Sequence, residues 1–368
     1  MRKTILHSLL IFAVVLASGC TSIGPSSLRA NRPAYNRAVQ QTNDQELLLN
    51  LVRSRYRDTL YFTSVERIAA TQELIQSVNA SAGETRSRNT TSPTRTISNP
   101  FSLGGSVSVN EKPTIFYAPV EGEKFVRQMM TPMNPDLLLL LVKSGWSLDR
   151  VFALGVAEIN GLKNAPTASG PTPSYEPEFR DFRAAIRLLR VLQREQLIEL
   201  GKPADAEGIE LRFAPEAAAR PETSQLKTLL RLDSARTNYR ITIGGSFRSA
   251  NEITLATRPL ISALNYLSQG VEVPEHDYEK GKVRRTTRAD GQPFDWQDLL
   301  SDVFRVRVSS RRPADDLAST AIDYRGSWFY IEDSDLETKS TFVLLTQLIS
   351  LHSAPASSGP ALSFSFGK

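Results

Sequence analysis

Cysteine is nearly missing from this chain: Cys20 is the only one in 368 residues. A disulfide framework and a cysteine metal site are both excluded, so stability must come from burying apolar surface. Histidine is almost as scarce, and beyond the first twenty residues only His276 and His352 remain. They lie far apart with no His-Glu-x-x-His pattern, so no metal site is expected. His276, in Glu275-His276-Asp277, reads as an exposed histidine in a polar loop. Also lacking are a Gly-x-Ser-x-Gly elbow, a P-loop and a Gly-x-Gly-x-x-Gly turn after a strand. No catalytic residue and no cofactor are expected. Charge of one sign is short too. With 44 basic against 39 acidic residues, and no basic-aromatic stripe, no nucleic-acid partner is expected. Past residue 20 there is no apolar run of about 18 residues to form a spanning helix. Helical periods dominate, which leaves no strand series of the kind an outer-membrane barrel needs.

What is present begins with an export signal. Arg2 and Lys3 precede an apolar run, Leu6 to Leu16, that ends in Leu16-Ala17-Ser18-Gly19-Cys20. The run is too short to span a bilayer comfortably and reads as a processing segment. It resembles the lipobox of bacterial lipoprotein precursors. That resemblance implies a diacylglyceryl group on the Cys20 thiol, a cut after Gly19 and acylation of the new amine. Each buried methylene adds about 0.8 kcal/mol, so two or three chains on one cysteine would hold the protein permanently. Thr21 stands where inner-membrane lipoproteins commonly carry aspartate. The resemblance therefore implies the periplasmic face of the outer membrane. Removing residues 1–19 lowers the formal net charge from +5 to +3.

The rest reads as an α+β protein, an antiparallel sheet with packed helices in two lobes. Residues 20–33 are polar and read as a flexible tether. Residues 34–164 form a mainly helical lobe, with helices over 34–57 and 63–78. The second helix would start at a Thr63-Ser64-Val65-Glu66 capping box. The Ser/Thr/Asn-rich stretch 79–100 reads as a disordered loop, followed by short strands near Val107 and Ile115–Tyr117. Residues 165–177 read as a proline-rich linker. Residues 178–368 form the second, α+β lobe, opening on an amphipathic helix over 178–200. Strands at 239–243 and 252–256 are expected to join through a Gly244-Gly245 turn. Three strands over 304–331, a helix over 335–351 and a short strand at 362–366 complete it.

Five patterns could carry chemistry or binding. Ser224-Gln225-Leu226-Lys227 matches Ser-x-x-Lys, but the Lys-Thr-Gly-like Lys143-Ser144-Gly145 precedes it, against the penicillin-binding order. The acidic cluster 332–337 lacks calcium-loop spacing and reads as a capping box, Ser334 to Glu337. The basic loop at 280–288 reads as solvated, with anionic lipid or polysaccharide as the functional option. Asn50 to Arg57 sets three arginines on an apolar helix, Arg53 and Arg57 sharing a face that would suit a carboxylate or phosphate of a partner. In Arg325 to Tyr330, strand alternation puts Trp328 and Tyr330 on one face and Phe329 on the other. Arg53, Arg57, Trp328 and Tyr330 are therefore the candidate partner-binding residues, and Cys20 the lipidation site.

The lipobox, Asn50–Tyr56, Asn160-Gly161-Leu162 and Trp328–Lys339 together resemble a group of uncharacterised Gram-negative lipoproteins. The resemblance implies a class and no activity. The expected role is a non-enzymatic assembly, scaffolding or binding component held to the membrane through Cys20, with an envelope protein as partner. The alternative is a periplasmic enzyme or ligand-binding protein acting on cell-wall or glycan material.

Overall fold

The computed structural model describes residues 23–82, 85–88, 95–98, 101–120, 122–203, 208–244 and 246–353. Cys20, the signal segment and the strand expected at 362–366 lie outside the described residues. The fold is α+β. Its described residues divide into two compact units, but not at residue 170: those up to 62 and from 122 onward form one, and those within 63–120 the other.

The larger unit opens with α1, Ile23–Tyr56. Helix thus replaces most of the expected tether and runs through Pro33. Once the apolar end at Leu47, Leu48, Leu51 and Val52 is buried, each further turn costs little, because propagation is cheap after nucleation. Helices α2 (Glu123–Met130), α3 (Pro135–Lys143) and α4 (Leu148–Gly155) follow. A six-stranded sheet is the centre of this unit, in the order β6-β5-β10-β9-β8-β7. Its strands are β5 (Val156–Ile159), β6 (Leu162–Lys163), β7 (Ile198–Gly201), β8 (Ile209–Phe213), β9 (Asn238–Ile243) and β10 (Glu252–Thr257). Asn160 and Gly161, at φ 47° and 87°, make the two-residue turn between β5 and β6. Asn-Gly suits that turn because both positions need positive φ.

Helix α5 (Arg180–Arg194) ends earlier than its apolar period suggests, and β7 takes over four residues later. Leu148 and Phe152 of α4 and Leu189 of α5 face Leu211, Ile253 and Leu255 of the sheet across the core. The β9–β10 expectation is corrected: the two strands pair in parallel, Arg240 beside Glu252 and Ile243 beside Leu255. The chain between them is therefore no hairpin turn and has to return to the starting end of β9. Asn160 helps hold this arrangement. Its side-chain oxygen accepts from the Thr254 N–H at 2.6 Å, and its amide donates to the Leu230 carbonyl at 2.7 Å.

Helices α6 (Pro221–Leu229), α7 (Leu260–Ser268), α8 (Glu275–Glu279) and α9 (Gln297–Leu300) lead to a second sheet. That sheet has the order β11-β13-β12, with β11 Arg307–Ser309, β12 Ala318–Tyr324 and β13 Ser327–Glu332. Helix α10, Leu336–Ser353, follows it.

The expected linker is folded into this unit. Residues 166–169 are a 3-10 turn, Ala165, Ala168 and Thr172 are buried, and the Ala165 N–H donates to the Glu178 carbonyl. Proline here supplies fixed turns that pack, since a buried backbone must find hydrogen-bond partners wherever it lies.

In the smaller unit, β1 (Thr63–Ala82) pairs antiparallel with β4 (Phe101–Pro119). Helix was expected over 63–78. Thr63, Val65, Ile68, Thr71, Ile75 and Val78 favour a strand once a partner exists, and that partner lies too far along the chain for local periodicity to show it. Within the expected loop, β2 (Thr85–Arg88) pairs with β3 (Arg95–Ser98).

Candidate functional site

The two segments singled out in the sequence, 50–57 and 325–330, do meet, but through other residues. Helix α1 ends at Tyr56. Arg57 then takes φ 61°, and the Asp58 N–H donates back to the Arg53 carbonyl at 2.9 Å. This is a left-handed helix cap of the kind usually given to glycine. Four consecutive side chains fan out from it.

Arg55, only 2% exposed, donates to Gln269 at 2.5 Å and to Thr172 and Tyr278 at 3.0 Å, and stands over the Trp296 ring. Burial pulls its guanidinium below the ordinary value, with Tyr278 and Tyr56 opposing. Tyr56 donates its hydroxyl to Asp277 at 2.7 Å and sits edge-on to the Tyr324 and Phe329 rings. Burial, then the hydrogen bond to Asp277, pushes the Tyr56 hydroxyl far up. Arg57 donates to the Thr172 carbonyl at 3.0 Å. Asp58 accepts from the Tyr324 hydroxyl and from Arg325 at 2.8 Å. Asp277 is 1% exposed and also accepts from Lys282 at 2.6 Å. Burial alone would raise this carboxyl. The hydrogen bonds from Lys282 and Tyr56, with the nearby Lys282 and His276 charges, override it and hold the group below its usual range.

The arrangement is a polar lock that joins the end of α1 to the 165–177 segment, to α7–α8 and to the β12–β13 hairpin. Of the two candidate arginines, Arg57 belongs to the lock through Thr172, whereas Arg53 reaches Asn50 within its own helix. The arginine set aside in the sequence, Arg55, is the buried one. Its signal was the apolar run just before it, which places position 55 on a buried face.

Trp328 and Tyr330 alternate with buried Phe329 and Ile331 and lie half-exposed on the other face of the second sheet. Register sets Ser309 and Asp323 beside Trp328, and Arg307 and Ala321 beside Tyr330. Arg312 stands over the Trp328 ring at 5.7 Å. This aromatic face, flanked by both charge signs, has the composition of an interface centre.

Other candidates are absorbed by structure. The Lys227 ammonium donates to the Ser234 and Arg236 carbonyls and lies over the Phe213 and Tyr239 rings, so it is a packing group. Asp335, not Ser334, caps α10 by accepting from the Thr338 N–H and hydroxyl. In the basic loop Lys282, Arg285 and Arg288 pair with Asp277, Glu275 and Asp298, while Arg284 donates to the neutral Ser174 hydroxyl. His276 is half-exposed beside Asp277.

One open groove of about 660 Å³ runs past Gly161–Lys163 and Tyr175–Phe182. Its carboxylates Glu176 and Glu178 are paired with Arg180 and Lys163. No helix among the described residues is long and apolar enough to cross a membrane. No protein-family model, curated protein or solved structure matches the chain.

Proposed function

We propose that the chain is a lipoprotein, cut before Cys20 and held by lipid on that cysteine to the periplasmic face of the outer membrane, with a non-enzymatic assembly role. The observation that carries the reading is the run of α1. It starts three residues past the lipobox cysteine and continues unbroken into the buried lock at Arg55 and Tyr56. At 1.5 Å per residue such a helix is about 50 Å long, and no residue with a described side chain between 29 and 46 is buried. An exposed helix locked at one end suits a spacer that holds a binding body off a membrane. Trp328 and Tyr330 are the proposed anchors for an envelope protein.

The test has two arms. A palmitate-analogue label fed to cells should mark the wild-type protein and not Cys20→Ser, and wild-type protein that takes no label would refute the anchor. A photo-crosslinking residue at Trp328 or Tyr330, used in intact cells, should capture a reproducible partner. Trp328→Ala with Tyr330→Ala should lose that partner while the thermal midpoint of the protein moves by only a few degrees. A midpoint that collapses together with capture would make the two aromatics structural.

A second reading is periplasmic binding of glycan material. It is favoured by Tyr175, 74% exposed beside Glu176, Glu178 and Asp181 in the open groove. Aromatic rings beside carboxylates suit sugar faces and hydroxyls. Titration with cell-wall oligosaccharides against Tyr175→Ala separates it from the first: binding that needs Tyr175 supports it, and no binding ends it.

A further inference from the structure

The smaller unit has a pattern that neither reading uses. The β1–β4 ladder sets Leu74 beside Val109, Gln76 beside Val107, Val78 beside Gly105, Ala80 beside Leu103 and Ala82 beside Phe101. Because strand positions alternate between faces, all ten share one face, and nine of them are apolar or glycine. The intervening pairs are Ile75 with Ser108, Ser77 with Ser106, Asn79 with Gly104 and Ser81 with Ser102. That second face is small and polar apart from Ile75. No charged residue occurs from 74 to 82 or from 101 to 109. In the sequence charges resume on both sides, at Glu73, Glu111 and Lys112 below and at Glu84, Arg86, Arg88 and Arg95 beyond the other end.

A charge-free band of nine residues per strand, apolar on one face and polar on the other, has the length and alternation of a membrane-spanning β-strand. Among the described residues β1 and β4 pair only with each other, so each keeps one edge open. A lone hairpin is marginal in water, and open edges cannot persist in hydrocarbon, where each unpaired backbone group costs several kcal/mol. The described residues of one chain supply two such strands, too few to close. The open edge of β1 and the open edge of β4 can pair with each other head-to-tail between copies. Such pairing generates a closed ring with an even number of strands.

We propose that β1 and β4, Thr63–Ala82 and Phe101–Pro119, form a membrane-inserting pair that closes into a transmembrane β-barrel with the same pair of further copies of this chain. Leu74–Ala82 and Phe101–Val109 supply the lipid-facing band, and the Ser/Asn/Gly face lines the lumen. The proposal deepens the assembly reading by making a second copy the partner, and it depends on that reading only for the presence of a membrane.

Full-length protein, purified in detergent, would be mixed with dye-loaded vesicles of phosphatidylcholine and phosphatidylglycerol, and its oligomeric mass read by chemical crosslinking. The wild-type chain should form a ring-sized oligomer and release dye. Val107→Asp, and independently Val78→Asp, should cut release at least about tenfold, since charge on the lipid face is costly at mid-bilayer. Ser106→Asp, one position away on the polar face, should retain release to within about twofold. Circular dichroism of each variant checks that the larger unit keeps its thermal midpoint. Wild-type protein that stays monomeric and releases no dye overturns the proposal, as does equal release from Val107→Asp and Ser106→Asp. Cys20→Ser protein should still release dye. Its release distinguishes failure of the barrel from failure of the lipid anchor, which lipid labelling reads separately.

Discussion

Arg55→Ala should lower the stability of the larger unit by about 3–4 kcal/mol, whereas Arg53→Ala should change it by less than about 1 kcal/mol. The two positions lie two residues apart on one helix and carry the same charge, so composition cannot separate them. Burial and partners do. Removing the Arg55 side chain leaves the Gln269 oxygen without its 2.5 Å donor and takes one bond each from the Thr172 and Tyr278 hydroxyls. It also opens a cavity beside Trp296. Each unsatisfied buried acceptor costs about 1–3 kcal/mol, and the cavity adds to that. Arg55→Lys should recover only part of the loss, because one ammonium cannot reproduce a planar fork that reaches three acceptors. Urea denaturation of the three variants measures the difference. Equal midpoints for Arg53→Ala and Arg55→Ala would show that the lock contributes nothing.

Asp277→Ala should cost about 3 kcal/mol at pH 7, because it leaves the Lys282 ammonium and the Tyr56 hydroxyl without their buried acceptor. The cost should depend on pH in a defined direction. The folded-state carboxyl lies below its ordinary value of 3.8. The unfolded chain therefore binds the proton more readily. The resulting stability is complete above the unfolded value and is lost as pH falls through the folded one. The wild-type advantage over Asp277→Ala should thus begin to shrink as pH falls below about 4. Tyr56→Phe keeps the ring contacts with Tyr324 and Phe329 and should lose about 1–2 kcal/mol. A wild-type advantage over Asp277→Ala that is the same size at pH 3 as at pH 7 would remove Asp277 from the acid response.

The lock and the hairpin show the same division between what a local pattern carries and what it omits. Elements whose stability is mostly local were readable from their own residues. The amphipathic period of α5, the Asn160-Gly161 turn, the alternation in β13 and the helix after Asp335 each depend on neighbours within a few positions. The alternation also put Trp328 and Tyr330 together on one face and Phe329 on the other. What it could not say is which face is covered. Phe329 is buried because Tyr56, far away in the chain, packs on it.

The misreadings share a cause. Thr63–Val78 carries both a helical period and β-branched residues, and β4 decides between them by offering a row of hydrogen-bond partners. Residues 165–177 have the composition of a linker, yet Arg55 and Arg57 bind Thr172 and hold the segment in the body. Residues 23–33 have the composition of a tether, yet they continue a helix whose other end is buried. Residue type and local spacing settle which conformations a segment can adopt at low cost. The choice among them falls to contacts between distant parts of the chain, because a buried polar group or an open strand edge costs more than a local preference can repay.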